Sequence, residues 1–367
     1  MNAEEVDVGL ATYSDWAFTS SVVVLVAAML LLAFELASTR ARRSPARVHE
    51  RGLVSAGPGA GTSEGAGTSE GTVTVDSATP GVVVPTPPRS VGERVGRAGL
   101  ALVYVGIGLL LVCIVLRGLA TARVPWGNMY EFINLTCLSG LVAAAIVLRP
   151  GRVGRTGQYR QLWVFVLVPV LILLTVSGRW LYTNAAPVMP ALQSYWLPIH
   201  VSVVSLGSGV FLVAGVASIL FLLKMSPLSA AYTSDAPGTS GTPGTTATAQ
   251  TPGALARVVG RLPDAQALDR IAYRTTIFAF PVFGFGVIFG AIWAEEAWGR
   301  YWGWDPKETV AFIAWVTYAA YLHARSTAGW RDKRAAWINV AGFVAMVFNL
   351  FFINLVTVGL HSYAGVG

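Results

Sequence analysis

Charged residues are scarce in this sequence: Asp, Glu, Lys and Arg make up 12% of its 367 residues, while hydrophobic types make up 54%. Soluble domains carry about 25% charged residues. The apolar residues are gathered in blocks of about 20, the length at which a helix crosses a hydrocarbon core of about 30 Å. The composition excludes a cytosolic enzyme and a nucleic-acid-binding domain, and it predicts an all-α, polytopic membrane protein.

Cysteine and histidine are also scarce, with two and four residues respectively. Cys113 and Cys137 both lie inside apolar runs, and the sequence contains no Cys-x-x-Cys pair. These features argue against a disulfide scaffold, thiol chemistry and a cysteine-based metal site. Because histidines are so few, the position of each one carries information about function.

Eight apolar spans are predicted to form a membrane helix bundle with both termini outside. The first span lacks a basic n-region and a small-residue cleavage site, so it is predicted to be a retained helix and not a cleaved signal peptide. The eight spans cover residues 16–38, 98–119, 128–148, 162–183, 199–223, 276–294, 307–324 and 336–358.

Basic residues set the predicted orientation. With the N-terminus outside, 21 of the 26 Lys and Arg residues fall in four inner loops. These loops are residues 39–97, 149–161, 224–275 and 325–335. The net charge of +7 is therefore a topology signal and does not indicate a nucleic-acid partner.

Two of the inner loops contain low-complexity sequence. Residues 59–70 repeat Gly-Ala-Gly-Thr-Ser-Glu twice, and residues 233–253 are mostly Gly, Thr, Ala, Ser and Pro. Such segments bury too little apolar surface to offset the entropy of ordering. The predicted organisation is an N-terminal helix within residues 1–38, a flexible linker over 39–97 and a seven-helix core over 98–367. The core contains a flexible cytoplasmic loop over 225–270.

Three segments meet at the outer face in this topology. They are the start of the fifth span with His200, the tryptophan-rich loop between the sixth and seventh spans, and the C-terminal tail with His361. The loop carries four tryptophans within twelve residues, which is dense for an interfacial aromatic belt. These are Trp293, Trp298, Trp302 and Trp304.

Two imidazoles beside flat aromatic rings suit a haem iron held on both faces of its macrocycle. Zinc is an alternative, since Glu295 and Glu296 would add two ligands to the two histidines. An interfacial role for each histidine alone is a further alternative. Asp305, followed by Pro306 and Glu308, has the pattern of a helix N-terminus, which is compatible with a second role in the site.

The other two histidines lie on the inner side. His323 falls near the inner end of the seventh span, about 26 Å from Pro306 along a helix. An ionisable residue at membrane depth is a functional candidate, but a snorkelling histidine next to Arg325 is an equal alternative. A second iron ligand at that depth would have to come from another subunit. His49 lies in the basic linker and is predicted to be solvated.

Glu131, one turn inside the third span, is predicted to pair with Arg123 or Arg179, or to lie near a bound ligand. Four outer arginines are candidates to meet carboxylates such as haem propionates. They are Arg117, Arg123, Arg179 and Arg300.

The run over residues 298–309, Trp-Gly-Arg-Tyr-Trp-Gly-Trp-Asp-Pro-Lys-Glu-Thr, resembles the WWD signature of haem-handling proteins of cytochrome c biogenesis. The segments 126–132, 192–200, 321–323 and 359–363 narrow the resemblance to the CcsA (ResC) family of the System II pathway, in an actinobacterial form. The resemblance covers residues 98–367 and leaves the first span and the two low-complexity segments unassigned.

The resemblance implies haem delivery across the bacterial plasma membrane and its covalent attachment to apocytochrome c, as a haem lyase working in a complex. Haem b is the implied cofactor, with His200 and His361 as axial ligands and catalytic residues at an extracytoplasmic site. The implied haem-binding residues include His323, Asp305 and the four loop tryptophans, with His323 binding a transmembrane haem jointly with a partner.

The implied partners are a CcsB (ResB) membrane subunit, an apocytochrome c with a Cys-x-x-Cys-His motif, a thiol-reducing thioredoxin-like protein and membrane lipid. Three other functions stay open: a haem transporter or chaperone without ligation activity, a b-type cytochrome and a small-molecule transporter. The clustered outer histidines and tryptophans count against the last.

Overall fold

The computed structural model describes residues 6–38, 90–149, 158–188, 192–227, 229, 253–355 and 359–361. Within these ranges the secondary structure is helical, with nine helices longer than one turn and no strand. The helices are α1 (Val8–Ser38), α2 (Val91–Ala120), α3 (Met129–Val147), α4 (Gln158–Trp180), α5 (Trp196–Lys224), α6 (Ala254–Arg261), α7 (Ala265–Trp298), α8 (Pro306–Ser326) and α9 (Lys333–Leu355).

Seven of the described helices, α1 to α5, α7 and α9, are long and apolar enough to cross a membrane. The protein is therefore a multi-pass membrane helix bundle. The seventh predicted span, residues 307–324, forms α8, which is helical but is not among these seven. Its first turn carries Lys307 and Glu308 and its last turn His323 and Arg325, so its apolar stretch is shorter than in the other spans.

Helix boundaries differ from the predicted spans mainly at the basic ends. Residues 254–261 and 265–270 are helical although they lie in the predicted flexible loop 225–270, and α2 begins at Val91 inside the predicted linker. Arg270 and Arg274 mark the inner limit of the apolar stretch from which the sixth span was predicted. Arginine is nevertheless a good helix former, so α7 continues through both residues. The low-complexity repeats and His49 lie outside the described residues.

Helix α5 is the centre of the bundle and the most buried of the seven apolar helices. It packs against α3, α7 and α9, while α1 packs against α2 and α4 at the periphery. A buried ion pair between Glu35 and Arg160 joins α1 to α4. The first helix, predicted to be separated from the core by a linker, is thus packed directly against it.

Glycines allow α5 and α7 to approach closely. A Cβ at Gly286 would lie 2.7 Å from the Val204 side chain, and a Cβ at Gly290 would lie 2.6 Å from the imidazole of His200. Small residues four apart are a common solution for close helix packing in membranes. This Gly-x-x-x-Gly pair on α7 therefore lets the N-terminal part of α5 lie directly on it.

Four helix ends meet at one end of the bundle, which we call the site end. Helices α5 and α8 begin there, while α7 and α9 end there. Helix α7 stops at Gly299, whose φ of 70° is a left-handed conformation that favours glycine. A capping box formed by Asp305 and Glu308 then starts α8. The connection from α7 to α8 carries Trp302 and Trp304 across the site end, whereas Trp293 and Trp298, predicted to lie in the loop, belong to the last turns of α7.

Candidate functional site

His200 and His361 both pack against the indole of Trp293. The His200 ring is parallel to Trp293 at a centroid distance of 6.1 Å, and the His361 ring meets it edge-on at 5.8 Å. Trp293 is almost fully buried. The structure thus brings together two histidines that are 161 positions apart in the sequence.

The Nδ1 atom of each imidazole faces an oxygen that can only accept a hydrogen bond. His200 Nδ1 is 2.8 Å from the Gly286 carbonyl oxygen, and His361 Nδ1 is 2.9 Å from Asp305 Oδ1. Each Nδ1 therefore carries the proton and donates it, which places the lone pair of a neutral ring on Nε2. Metal-binding histidines are commonly oriented by such a partner on their other nitrogen.

Asp305 holds the C-terminal segment as well as capping α8. Its Oδ1 accepts from the Lys307 amide at 3.1 Å as well as from His361, and its Oδ2 accepts from the Leu360 amide at 2.9 Å. A Cβ at Gly359 would lie 2.6 Å from Oδ2, so glycine permits this close approach. The helix cap and the histidine support are the same carboxylate.

The charges of this pair follow from its surroundings. Burial raises the pKa of Asp305, but the hydrogen bond and charge of His361 and the two backbone donors outweigh it and lower the pKa to about 2. Burial lowers the pKa of the His361 imidazole, while the Asp305 hydrogen bond acts in the opposite direction. A neutral imidazole beside an ionised carboxylate is the state suited to metal binding.

A cavity of about 320 Å³ opens beside the two histidines. Its volume falls within the roughly 300–1,000 Å³ of typical ligand pockets. The walls are mainly apolar and come from α3, α4, α5, α7, α8 and α9. The polar and aromatic side chains in the wall include His200, His361, Lys307, Glu308, Phe132, Tyr301 and Trp302.

The four loop tryptophans have different positions. Trp302 lines the cavity. Trp298 does not line it, but its ring packs edge-on against the His361 ring at a centroid distance of 4.9 Å. Trp293 packs against both imidazoles, and Trp304 is 67% exposed. The predicted group therefore divides into a wall residue, two residues that support the histidines and one surface residue.

The outer arginines are placed away from the cavity. Arg117 and Arg123 both donate to Glu131, and Arg117 is buried. Arg179 is exposed at the end of α4, so the predicted alternative of a Glu131–Arg179 pair is replaced by Arg117. Arg300 lies over Gly303. None of the four is among the described residues that line the cavity.

A family model for cytochrome c assembly proteins matches residues 126–361 of the chain. The cytochrome c biogenesis protein CcsA of Prochlorococcus marinus is 31% identical over 281 residues, which cover 75% of this chain and 86% of that protein. A CcsA of a Synechococcus species is 34% identical over 288 residues, with the same two coverages. A CcsA of Guillardia theta is 34% identical over 274 residues, covering 71% and 85%.

The chain belongs to the CcsA family. It is therefore a membrane protein with a role in cytochrome c maturation. The match begins at Trp126, so α1 and α2 lie before the matched region. The first two relatives are cyanobacterial, and the actinobacterial origin inferred from the resemblance stays a prediction.

His323 lies at the opposite end of the bundle, in the last turn of α8. Its side chain is exposed, and its carbonyl accepts hydrogen bonds from Ser326 and Thr327. Glu295 and Glu296, the carboxylates of the zinc alternative, are exposed in the last turn of α7. No cluster of three His, Cys, Asp or Glu side chains suited to a metal ion occurs within the described ranges.

Sequence reasoning missed Gly286, Gly290 and Lys307 as parts of the site. The first two have a signal in the sequence, since Gly-x-x-x-Gly in an apolar helix indicates a close helix contact. Lys307 lies within the run 298–309, but the pattern of that run assigns it no contact with the site. Its place in the cavity follows from the rotation of α8 about its axis, which the local sequence does not specify.

Proposed function

We propose that the site end holds haem b between His200 and His361 and presents it for covalent attachment to apocytochrome c, so that the protein is a holocytochrome c synthase. The observation that carries the proposal is the fixed tautomer of both rings. Each imidazole donates from Nδ1 to an acceptor oxygen, and both rings pack against one buried indole. This is the donor chemistry that a six-coordinate haem iron requires.

The cavity suits the rest of the haem molecule. A flat apolar macrocycle fits walls of aromatic and aliphatic side chains such as Phe132 and Trp302. When bound, haem supplies the vinyl groups to which thiols add. The residues of this chain orient the macrocycle and exclude water, and orientation of this kind accounts for large rate effects.

The chain does not need its own nucleophile for this reaction. The two thiols of a Cys-x-x-Cys-His segment add across the two haem vinyl groups, with sulfur bonded to one vinyl carbon and hydrogen to the other. No electrons are gained or lost overall. Cys113 and Cys137 are buried in the bundle, consistent with thiols supplied by the apocytochrome. A thioredoxin-like protein would keep those thiols reduced.

Supply of haem is proposed to involve a second membrane subunit of the CcsB (ResB) type. His323 is exposed at the opposite end, where a histidine of a partner could complete an iron site. In the proposed orientation this end faces the cytoplasm, and the site end lies at the extracytoplasmic face of the plasma membrane.

The test is the haem spectrum and product yield of the complex purified from cells, wild type against His200→Ala and His361→Ala. Loss of either imidazole should remove the six-coordinate absorption spectrum and stop covalent attachment. Added imidazole should restore the spectrum, because it can occupy the vacated position. Tyr195→Ala is the control, since this aromatic is 78% exposed at the same end.

Two results would contradict the proposal. A wild-type spectrum in the double histidine variant would exclude this pair as the ligands. Haem binding without any thioether product from the complete complex would favour the transporter or chaperone alternative. For the inner site, His323→Ala should reduce haem content while the outer spectrum is kept.

A further inference from the structure

A groove on the surface of the bundle lies between α3, α5 and α7. Its volume is about 510 Å³, which is larger than that of the cavity beside the histidines. Most of its wall is apolar, and several wall residues are exposed on the bundle surface: Val142 and Ile146 on α3, Leu206 on α5 and Phe278 on α7. In a membrane protein such a groove is open to lipid.

Two arginines, Arg270 and Arg274, belong to the wall of this groove. They are four positions apart on α7, so both side chains project from one face of the helix, and Phe278 continues that face one turn further on. Like charges at this spacing repel each other and destabilise a helix. An anion shared by the two guanidinium groups reverses that effect.

The nearest carboxylate in the sequence does not neutralise these charges. Asp269 precedes Arg270, but its carboxylate pairs with Arg325 of α8. Among the described residues, neither the Arg270 nor the Arg274 guanidinium makes a hydrogen bond or an ion pair, and both side chains are exposed. One end of the apolar groove therefore carries two positive charges that a ligand can reach.

The position of the arginines along α7 matches the level of lipid headgroups. Arg274 lies 24 positions before Trp298, the last residue of α7, so the two are about 36 Å apart along the helix. The hydrocarbon core of a membrane is about 30 Å thick, and the headgroup regions extend it to about 40–45 Å. With the site end at one surface, Arg274 lies among the headgroups of the opposite leaflet, and Phe278 lies beside the acyl chains.

We infer that the groove binds an anionic phospholipid, with its phosphate on Arg270 and Arg274 and an acyl chain along the apolar wall. Guanidinium groups suit this headgroup because they bind phosphate through two parallel hydrogen bonds. Basic pockets between transmembrane helices commonly bind anionic lipid headgroups. In the proposed orientation the lipid belongs to the cytoplasmic leaflet. It joins α3, α5 and α7 at the end of the bundle opposite the two histidines.

The test is lipid binding to the purified full-length chain, measured by native mass spectrometry with phosphatidylglycerol and phosphatidylcholine of the same acyl chains. The wild type should bind phosphatidylglycerol more tightly, because the choline group of the other lipid carries a compensating positive charge. Arg270→Gln combined with Arg274→Gln should weaken phosphatidylglycerol binding roughly tenfold or more, since hydrogen bonds to a charged group are lost. The preference between the two lipids should then disappear.

Arg94→Gln combined with Arg97→Gln is the matched control, because it removes two charges from exposed arginines at the start of α2. This helix start lies at the same end of the bundle as the start of α7. The last residues of α1 contact both Gly92 of α2 and Arg261, which precedes α7 by four positions. Arg97 pairs with Glu93 on the surface, and such pairs contribute little to stability. The control should keep the lipid preference of the wild type.

Val142→Trp tests the apolar part of the groove without changing any charge. Val142 is 40% exposed, so a larger side chain is accommodated at the surface and narrows the groove. Binding of both lipids should become weaker. This variant keeps the inference testable if the double arginine variant does not fold.

Equal affinity of the wild type for the two lipids would overturn the inference. A preference that survives in the double arginine variant, or that is lost to the same extent in the control, would overturn it as well. If the double variant kept its lipid preference but lost a co-purifying membrane subunit, the groove would be a protein interface instead. The haem spectrum should be the same in all these variants, because the groove is remote from His200 and His361, so failure of this inference is distinct from failure of the proposed function.

Discussion

His200 lies in the first turns of α5, the central helix of the bundle, whereas His361 lies in a short segment after α9. The partner of His200 is the backbone carbonyl of Gly286, inside a 34-residue helix. The partner of His361 is a side chain, the carboxylate of Asp305. His200 is therefore oriented by a helix backbone, whereas His361 is oriented by the side chain of Asp305 together with ring contacts to Trp293 and Trp298.

The difference determines how each half responds to change. A backbone carbonyl cannot be removed by substitution, so the orientation of His200 is sensitive only to the packing of α5 on α7. The orientation of His361 is sensitive to the substitution of side chains, above all of Asp305, which accepts the hydrogen bond from its Nδ1. On the proposed function, the histidine of the apocytochrome would displace one of the two histidines from the haem iron during product release. Of the two, His361 is expected to be displaced, because its hydrogen-bond partner is a side chain.

The largest effect is expected from Trp293→Ala, because this indole contacts both halves. Removing a buried tryptophan costs about 3–5 kcal/mol of stability. The measurement is thermal unfolding of the purified chain, together with haem affinity. Trp304→Ala, at a tryptophan in the connection between α7 and α8 that is 67% exposed, should change stability by less than about 0.5 kcal/mol. If the two variants had equal effects, Trp293 would not be the shared support of the two rings.

The sequence was sufficient to predict that His200, Trp293 and His361 lie at one end of the bundle, because helix spans and basic loops determine which ends meet. It also predicted Asp305 as a helix cap, since Asp, Pro and Glu in that order have a local preference for a helix start. Both predictions depend only on local composition and on counting spans.

Contacts that depend on helix rotation were not predictable in the same way. The pairing of Glu131 with Arg117 requires α2 and α3 to face each other at the right height. The place of Lys307 in the cavity wall depends on the rotation of α8, and the helical stretch at 265–270 depends on packing beyond the apolar stretch of the sequence. Hydropathy reports how apolar a segment is and not which side of it faces a neighbour.

A smaller effect, confined to the His361 half, is expected from Asp305→Ser. Serine is as good an N-cap as aspartate, so α8 should start normally and stability should change by less than about 1 kcal/mol. Serine cannot hold both His361 and the Leu360 amide, and loss of such a partner typically costs 10–100-fold in metal affinity. Haem titration of the purified chain measures this loss.

The contrast with Asp305→Ala separates the two roles of the carboxylate. Alanine removes the cap as well, so it should lose about 1 kcal/mol more stability than serine while haem affinity falls to a similar extent. An Asp305→Ser protein with wild-type haem affinity would show that His361 is positioned by something other than Asp305.

The smallest effect is expected from Gly290→Ala, which acts on the His200 half. The new Cβ would lie 2.6 Å from His200 Cε1 and 2.8 Å from Nδ1, so the ring must shift away from the Gly286 carbonyl. Overpacking costs about 1–3 kcal/mol, and the greater helix propensity of alanine returns up to about 1 kcal/mol. We expect a net loss of about 1 kcal/mol in the free energy of unfolding, measured by thermal unfolding of the purified chain, together with weaker haem binding because the His200 ring is displaced.

Gly108→Ala is the matched control, because a Cβ on this α2 glycine meets no atom within 4 Å. It should be neutral or stabilising, since alanine is favoured over glycine within a helix. If Gly290→Ala behaved like Gly108→Ala, the contact between α7 and His200 would be loose enough to absorb a methyl group. The His200 ring would then be held no more firmly than the His361 ring, and the proposed difference between the two histidines would be wrong.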